Sequence, residues 1–288
     1  MKKLSALALS AALLLCGCGA GENPFQKEIS VEGSTPVHVV MTNVEADYAS
    51  YPNTMYGWGI KKNVNAPPDI PEKIQKMMHT YDCLYLDSIP KTLYLTFDEG
   101  YENGYTAQIL DVLKKQNVPA AFFVTGPYLK KETELIKRMF DEGHIVGNHT
   151  VGHPSLPQLS GTKKVEEEIV GLAEICKELY GKEMHYFRPP RGEYSERTLK
   201  ICQDLGYQNV FWSFAYQDWE VNKQRGTDYA YEQIMKGVHD GCVLLLHAVS
   251  KDNAEVLDRV ICDLKAKGYV FRSLDEFGKN HISKNDLG

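Results

Sequence analysis

Two histidines four residues apart, in His149-Thr150-Val151-Gly152-His153, are the first side chains able to do chemistry. A helix would stack positions i and i+4 on one face, but Gly152 and Pro154 predict a loop turn instead. Two neutral imidazoles plus one carboxylate form a common ligand set for a catalytic zinc-like ion, with positions left for water and substrate. Asp98 or Glu99 would supply the carboxylate. These two acids end the apolar run Leu93–Phe97 and precede Gly100. Neighbouring side chains along a strand point to opposite faces, so both acids reach one site only if the strand stops there and the chain turns. Gly100 permits that turn. Taken singly, the acids also read as a solvated strand exit and the histidines as a surface pair.

Two further stretches have the right chemistry. Phe187-Arg188-Pro189-Pro190-Arg191-Gly192 is stiff, because its prolines fix φ and remove two backbone donors. Such a segment can hold the Arg188 side chain and the backbone N–H of Arg191 in place. Val243–His247 ends an apolar run on a histidine, a pattern that alone more often marks a satisfied core residue.

The elements that must position these groups follow a regular pattern after Lys91. Seven runs read as strands: 93–97, 120–124, 144–147, 185–187, 209–213, 242–246 and 269–271. Helical patterns lie between most of them, at 105–116, 132–142, 165–180, 196–205, 229–239 and 253–267. Gly143, Gly181, Gly206, Gly241 and Gly268 follow such patterns, where a left-handed cap belongs. Repeated strand–helix units predict a parallel sheet with helices outside, either a closed barrel or an open doubly wound sheet. Polar groups follow the strands: Asp98 and Glu99 the first, His149 the third, Arg188 the fourth, Asp218 the fifth and His247 the sixth. The carboxyl ends of such strands share one rim, where ligands bind. Residues far apart in sequence thus converge on one mouth.

The 288 residues are 43% hydrophobic with a net charge of −6, which leaves no basic excess for a nucleic-acid partner. The N-terminus differs from the rest. Lys2 and Lys3 precede the apolar stretch Leu4–Leu15, too short to span a bilayer and suited to an export signal. Leu15-Cys16-Gly17-Cys18 resembles a bacterial lipobox, which implies a signal peptide over 1–17 and a lipid anchor on Cys18, outside the cytoplasmic membrane. Residues 18–50 read as a tether, with one possible strand at Val37–Val40, and 51–90 as an extension packing on a catalytic domain at 91–280. Cys83, Cys176, Cys202, Cys242 and Cys262 show no CxxC pair and no disulfide framework, so buried free thiols are expected.

Taken in order, "TFDEG", "HTVGHP", "RPPRG", "QDW" and "LLLH" resemble the five motifs of the polysaccharide deacetylase family, the NodB-homology domain or carbohydrate esterase family four. The likeness covers about Lys91 to Phe277. "YENGYT", "RPPRG" and "LLHAVSKDNAEVLD" look like its spore-cortex branch, which makes muramic δ-lactam; "YGWG" extends that likeness upstream. The resemblance implies a distorted (β/α) barrel of about seven parallel strands with outer helices. It implies metal-dependent hydrolysis of an N-acetyl amide on a sugar of peptidoglycan, by a monomer using a divalent ion, zinc foremost. Carried over by residue, Asp98 is the general base, oriented by Arg188, and His247 is the general acid, supported by Asp218. Glu99, His149 and His153 hold the metal. Arg191 offers its backbone N–H to the developing oxyanion, and Tyr101, Trp219, Tyr105, Tyr194 and Trp212 are candidates to stack on sugar rings.

Two features of this chain stand out against the family pattern. Glu99 takes a position where the family usually has Asp and spore-cortex relatives often have Asn; the extra methylene requires the loop to retract if it is to ligate. Arg191 takes a slot that is aromatic in many relatives acting on N-acetylglucosamine. A guanidinium there suits the lactyl carboxylate of peptide-free N-acetylmuramic acid. The expected function is de-N-acetylation of muramic acid. The alternatives are the same reaction on glucosamine residues and a silent sugar-binding lipoprotein.

Overall fold

The computed structural model describes residues 48–279. The expected leader, the expected anchor at Cys18, the expected strand at Val37–Val40 and most of the expected tether lie outside the described residues. A two-residue strand, β1 (Tyr56–Gly57), and helix α1 (Glu72–Thr80) precede the regular part of the chain. That part opens with β2 (Thr92–Glu99), α2 (Thr106–Gln116), β3 (Ala120–Val124), α3 (Gly126–Lys131), α4 (Thr133–Asp141), β4 (Ile145–Asn148), α5 (Thr162–Tyr180) and β5 (Tyr186–Phe187). It continues with β6 (Glu193–Tyr194), α6 (Glu196–Asp204), β7 (Gln208–Asn209), α7 (Thr227–Gly237), β8 (Cys242–His247), α8 (Lys251–Ala266) and β9 (Val270–Phe271).

Seven strands form one sheet in the order β7-β5-β4-β3-β2-β8, with β9 added beside the start of β2. All of its pairings are parallel. Beyond β7 the chain runs on to Phe214, which bridges in parallel to Leu244 of β8. The two ends of the sheet thereby approach each other, and the result is the distorted (β/α) barrel with outer helices. Leu84, pairing with Val210, and Leu86, pairing with Cys242, patch the seam on the amino side.

Strand alternation sorts side chains into two layers. On β2, Leu93, Leu95 and Phe97 face outward into the large core under the helices. Tyr94 faces inward and packs with Phe123 and Val243. The outward layer is built by amphipathic helices: Ile109, Leu110 and Leu113 of α2 are all fully buried, as the stripe at i, i+1 and i+4 requires. All five glycines expected as left-handed caps have positive φ.

The strands and helices fall within a few residues of the sequence reading, with two additions. Helix α3 opens on Gly126-Pro127 and is only six residues long, too short to show a period. The ribbon of β1 and β6 has two residues per strand, and it attaches the upstream extension to the barrel. Trp58, Met77, Met78 and Tyr81 of that extension pack with Tyr194, Leu199 and Phe211 in a second apolar cluster.

Candidate active site

Asp98 ends the inward row of β2, after Tyr94 and Thr96, and His247 ends the neighbouring β8. The register pairs them directly, Asp98 opposite His247. Adjacent strands lie about 4.8 Å apart, so a carboxylate and an imidazole leave the same end of the barrel side by side.

Each has its own partner. Arg188 is fully buried, and its guanidinium donates to Asp98 Oδ1 at 2.7 Å, to Thr96 Oγ1 at 2.9 Å and to Val210 O at 3.2 Å. The guanidinium lies 4.1 Å from the Phe123 ring centroid, which supports it from within the barrel. A buried guanidinium and carboxylate are tolerated because each is charge-compensated and hydrogen-bonded. Burial pushes the Asp98 carboxyl up, but Arg188, then His149 and His247, outweigh it and hold it below the usual carboxylate value. Asp98 is therefore ionised.

His247 Nδ1–H donates to Asp218 Oδ1 at 2.7 Å, which leaves Nε2 facing the mouth. Asp218 is fixed in turn: its Oδ2 accepts from His247 N–H at 2.9 Å and from Asn253 Nδ2 at 2.6 Å. Tyr216 O–H donates to Asn253 Oδ1 and completes the chain of contacts. Burial lowers the His247 imidazole, yet the Asp218 charge and hydrogen bond, with Asp98 behind them, raise it above its ordinary value. Side by side stand a carboxylate that has lost its proton and an imidazole whose hold on its proton is strengthened.

His149 and His153 occupy the loop after β4. His149 Nδ1 meets Arg188 O at 2.7 Å. A carbonyl only accepts, so Nδ1 carries the proton and Nε2 presents a lone pair, 3.5 Å from Asp98 Oδ2. The His153 ring lies 4.8 Å from it, centroid to centroid. Burial pushes His149 down to about 4 and lowers His153 as well, so both imidazoles are neutral at neutral pH. The loop is tightly tied: Thr150 N–H donates to Asn148 Oδ1, His153 N–H to Thr150 Oγ1 and Gly152 N–H to Glu168 Oε2. Thr150 and His153 have φ of 69° and 59°, a conformation that persists only where surroundings enforce it.

Glu99 is elsewhere. β2 does not stop at Asp98: Glu99 stays in register with Val124, and Thr125 N–H donates to Glu99 O at 3.2 Å. Its side chain therefore takes the outward face with Leu95 and Phe97, at 0% exposure, among Thr106, Glu102 and Tyr128. Neither carboxylate oxygen makes a well-formed hydrogen bond. The expectation that the strand ends early and that Glu99 joins the histidines is not met in this geometry. Among the described residues, no three His, Cys, Asp or Glu side chains form a ready-made metal site. Two proton-free imidazole nitrogens beside the ionised Asp98 nonetheless fit the donor set that a divalent ion requires.

Of the remaining candidates, Tyr101 and Trp219 are 54% and 49% exposed, and the Trp219 ring stands 5.4 Å from His247. Arg191 is exposed, in a left-handed conformation at φ 59°, with its charge felt at His153. Tyr194 is buried at 1% and packs on Phe211, so it does not face a ligand; Trp212 is half-buried, its carbonyl taken by Trp58. Thr96, Phe123 and Asn253 were missed. Thr96 was accessible to reasoning, since it sits two residues before Asp98 on the same strand face.

The chain matches the family description "Polysaccharide deacetylase" over residues 86–210. It is 47% identical to the peptidoglycan-N-acetylmuramic acid deacetylase PdaA of Bacillus subtilis across 83% of this chain and 91% of that one. The chain therefore belongs to the polysaccharide deacetylase family, whose members are hydrolases of amide-linked acetyl groups and are in general metal-dependent. It is 50% identical to an uncharacterized 30.6 kDa protein of Geobacillus stearothermophilus over 79% of this chain and 87% of that one. The solved structure of Bacillus subtilis PdaA, a family 4 carbohydrate esterase, superposes with a TM-score of 0.76 at 48% identity, covering 78% of this chain and 97% of that one.

Proposed function

We propose that this chain hydrolyses the acetamide of N-acetylmuramic acid residues in peptidoglycan, the step that precedes closure of muramic δ-lactam in spore cortex. The observation that carries the reading is the Asp98–His247 pair at the ends of adjacent strands, each with its own buried partner. An ionised acceptor beside an imidazole whose hold on its proton is strengthened suits amide cleavage and serves no purpose in binding alone.

Asp98, aimed by Arg188, takes a proton from the attacking water. The new C–O bond forms at the acetyl carbon. His247 Nε2 then gives a proton to the sugar nitrogen as the C–N bond breaks, and acetate leaves. Asp218 holds the imidazolium in orientation, as a carboxylate on Nδ1 does in other acid–base pairs. The backbone N–H of Arg191 would donate to the developing oxyanion, a contact worth about 2.7–4 kcal/mol in comparable sites. His149 and His153, with Asp98 beside them, are the residues that would hold a divalent ion. When bound, such an ion supplies Lewis acidity to the acetamide carbonyl. Tyr101 and Trp219 offer exposed rings to neighbouring sugars.

Arg191 sets the preference for muramic acid, because its exposed guanidinium at the rim suits the lactyl carboxylate left when the peptide is removed. Acetate release from peptide-free muramyl glycan and from glucosaminyl glycan, compared by mass spectrometry, tests this. Arg191→Tyr is expected to lose activity on the muramyl substrate disproportionately, and equal losses on both would refute the assignment. The catalytic domain spans 91–280, behind a signal peptide at 1–17, and Cys18 carries the lipid that anchors the protein outside the cytoplasmic membrane. Labelled fatty acid should enter the wild type and not Cys18→Ala; equal labelling would sink the anchor.

A further inference from the structure

The loop that carries Arg191 is held from outside the stretch that matches the family description. Residues 53–58 form a strap across two loops of the rim. Its strand β1 pairs antiparallel with β6, Tyr56 opposite Tyr194 and Gly57 opposite Glu193. Trp58 N–H donates to Gly192 O at 2.8 Å, and its indole Nε1–H donates to Trp212 O at 2.7 Å. Trp58 is 4% exposed, locked among Tyr85, Tyr194 and Phe211. Gly192, at φ 65°, is wedged between the Trp212 indole and the Trp58 side chain: a Cβ there would lie 2.8 Å from the Trp212 ring and 3.1 Å from Trp58 Cβ. Arg191 precedes it at φ 59°, a strained position for a residue with a side chain.

The other end of the strap reaches the second loop. Asn53 Nδ2–H donates to Pro157 O at 2.8 Å, four residues after His153, while Asn53 Oδ1 accepts from Ser195 Oγ at 2.8 Å, four after Arg191. Met55 Sδ takes weak contacts from Ser155 Oγ at 3.6 Å and Gln158 Nε2 at 3.7 Å. One six-residue segment thus joins the chain just beyond the histidine loop to the chain just beyond the arginine loop.

We infer that Trp58 is a positioning residue for substrate binding: it clamps Gly192 and so holds Arg191 in its left-handed, outward-pointing conformation. This rests on the reading that Arg191 receives the muramyl carboxylate. Strain of this kind survives only where neighbours over-determine it: Trp58 donates one hydrogen bond to Gly192 O, fixes Trp212 with the other, and forms one wall of the wedge. The clamp leaves the Asp98–His247 pair untouched; it acts on KM through the Arg191 side chain and on kcat through the Arg191 backbone N–H.

The test uses the full chain and peptide-free muramyl glycan. Trp58→Leu is expected to raise KM about five- to tenfold, the size of one weakened charge-assisted contact, and to lower kcat by a smaller factor as the Arg191 N–H loses its aim. Amide exchange in 191–194 should quicken. Trp58→Phe, which keeps a ring and loses only the indole donor, should recover most of the KM and guards against a folding defect in the leucine variant. In an Arg191→Gln background Trp58→Leu should add less than about twofold to KM, since the clamped side chain is already gone. The same KM increase in both backgrounds, or unchanged exchange in 191–194, would overturn the clamp. If Arg191→Gln alone weakens muramyl and glucosaminyl substrates equally, the carboxylate reading fails instead, and the exchange measurement still judges the clamp.

Discussion

The two faces of one strand treat two adjacent acids in opposite ways. On the inward face of β2, Asp98 meets a fully buried guanidinium, a threonine-buttressed hydrogen-bond network and two imidazoles. On the outward face Glu99 is buried just as deeply, yet its oxygens are without a well-formed hydrogen bond, and its polar neighbours include a second acid, Glu102. Burial raises the Glu99 carboxyl well above the usual value, and the charges of Glu102 and Asp98 add to it. Burial also raises Asp98, but there the cation wins. Chemical type alone therefore does not make a carboxylate a base; the compensating charge behind it does.

The largest expected effect sharpens the inward half of that contrast. His247→Asn removes the proton donor while its Asp218–Asn253 support stays, and kcat/KM for acetate release should fall about 10²- to 10⁴-fold. A loss under tenfold would mean that another group delivers the proton. The outward half is tested by stability. Because the Glu99 carboxyl is raised in the folded state, that state binds more protons than the unfolded chain above the ordinary glutamate value, so its contribution to stability is lost as pH rises. Glu99→Gln removes that loss. Calorimetry should show the variant melting higher than wild type by roughly 2–4 °C at pH 8, the equivalent of about 1 kcal/mol, and by less at pH 5. A lower Tm at pH 8 would mean that the charge is compensated after all.

Much of this was legible in the sequence, for a physical reason. Strand–helix periodicity brings strand ends to one rim, so Asp98, His149, Arg188, Asp218 and His247 could be gathered from patterns alone. The side taken by Glu99 could not. It turns on whether β2 ends one residue earlier, and Gly100 permits either outcome. The long-range bond from Thr125 N–H and the register with Val124 decide it. Tyr194 was misjudged because aromatic residues that stack on sugars and those that pack look alike until burial is known. The strap was invisible too, since a two-residue ribbon has no period and its value lies in contacts 100 or more residues away.

Acetate released from peptide-free muramyl glycan by Asp98→Asn and by Glu99→Gln, measured side by side at one metal concentration, tests the division of labour most directly. The account predicts a collapse of at least about 100-fold for the first and near wild-type release for the second. Comparable losses in both variants would contradict it, because the neighbouring acid would then belong to the reacting centre as well.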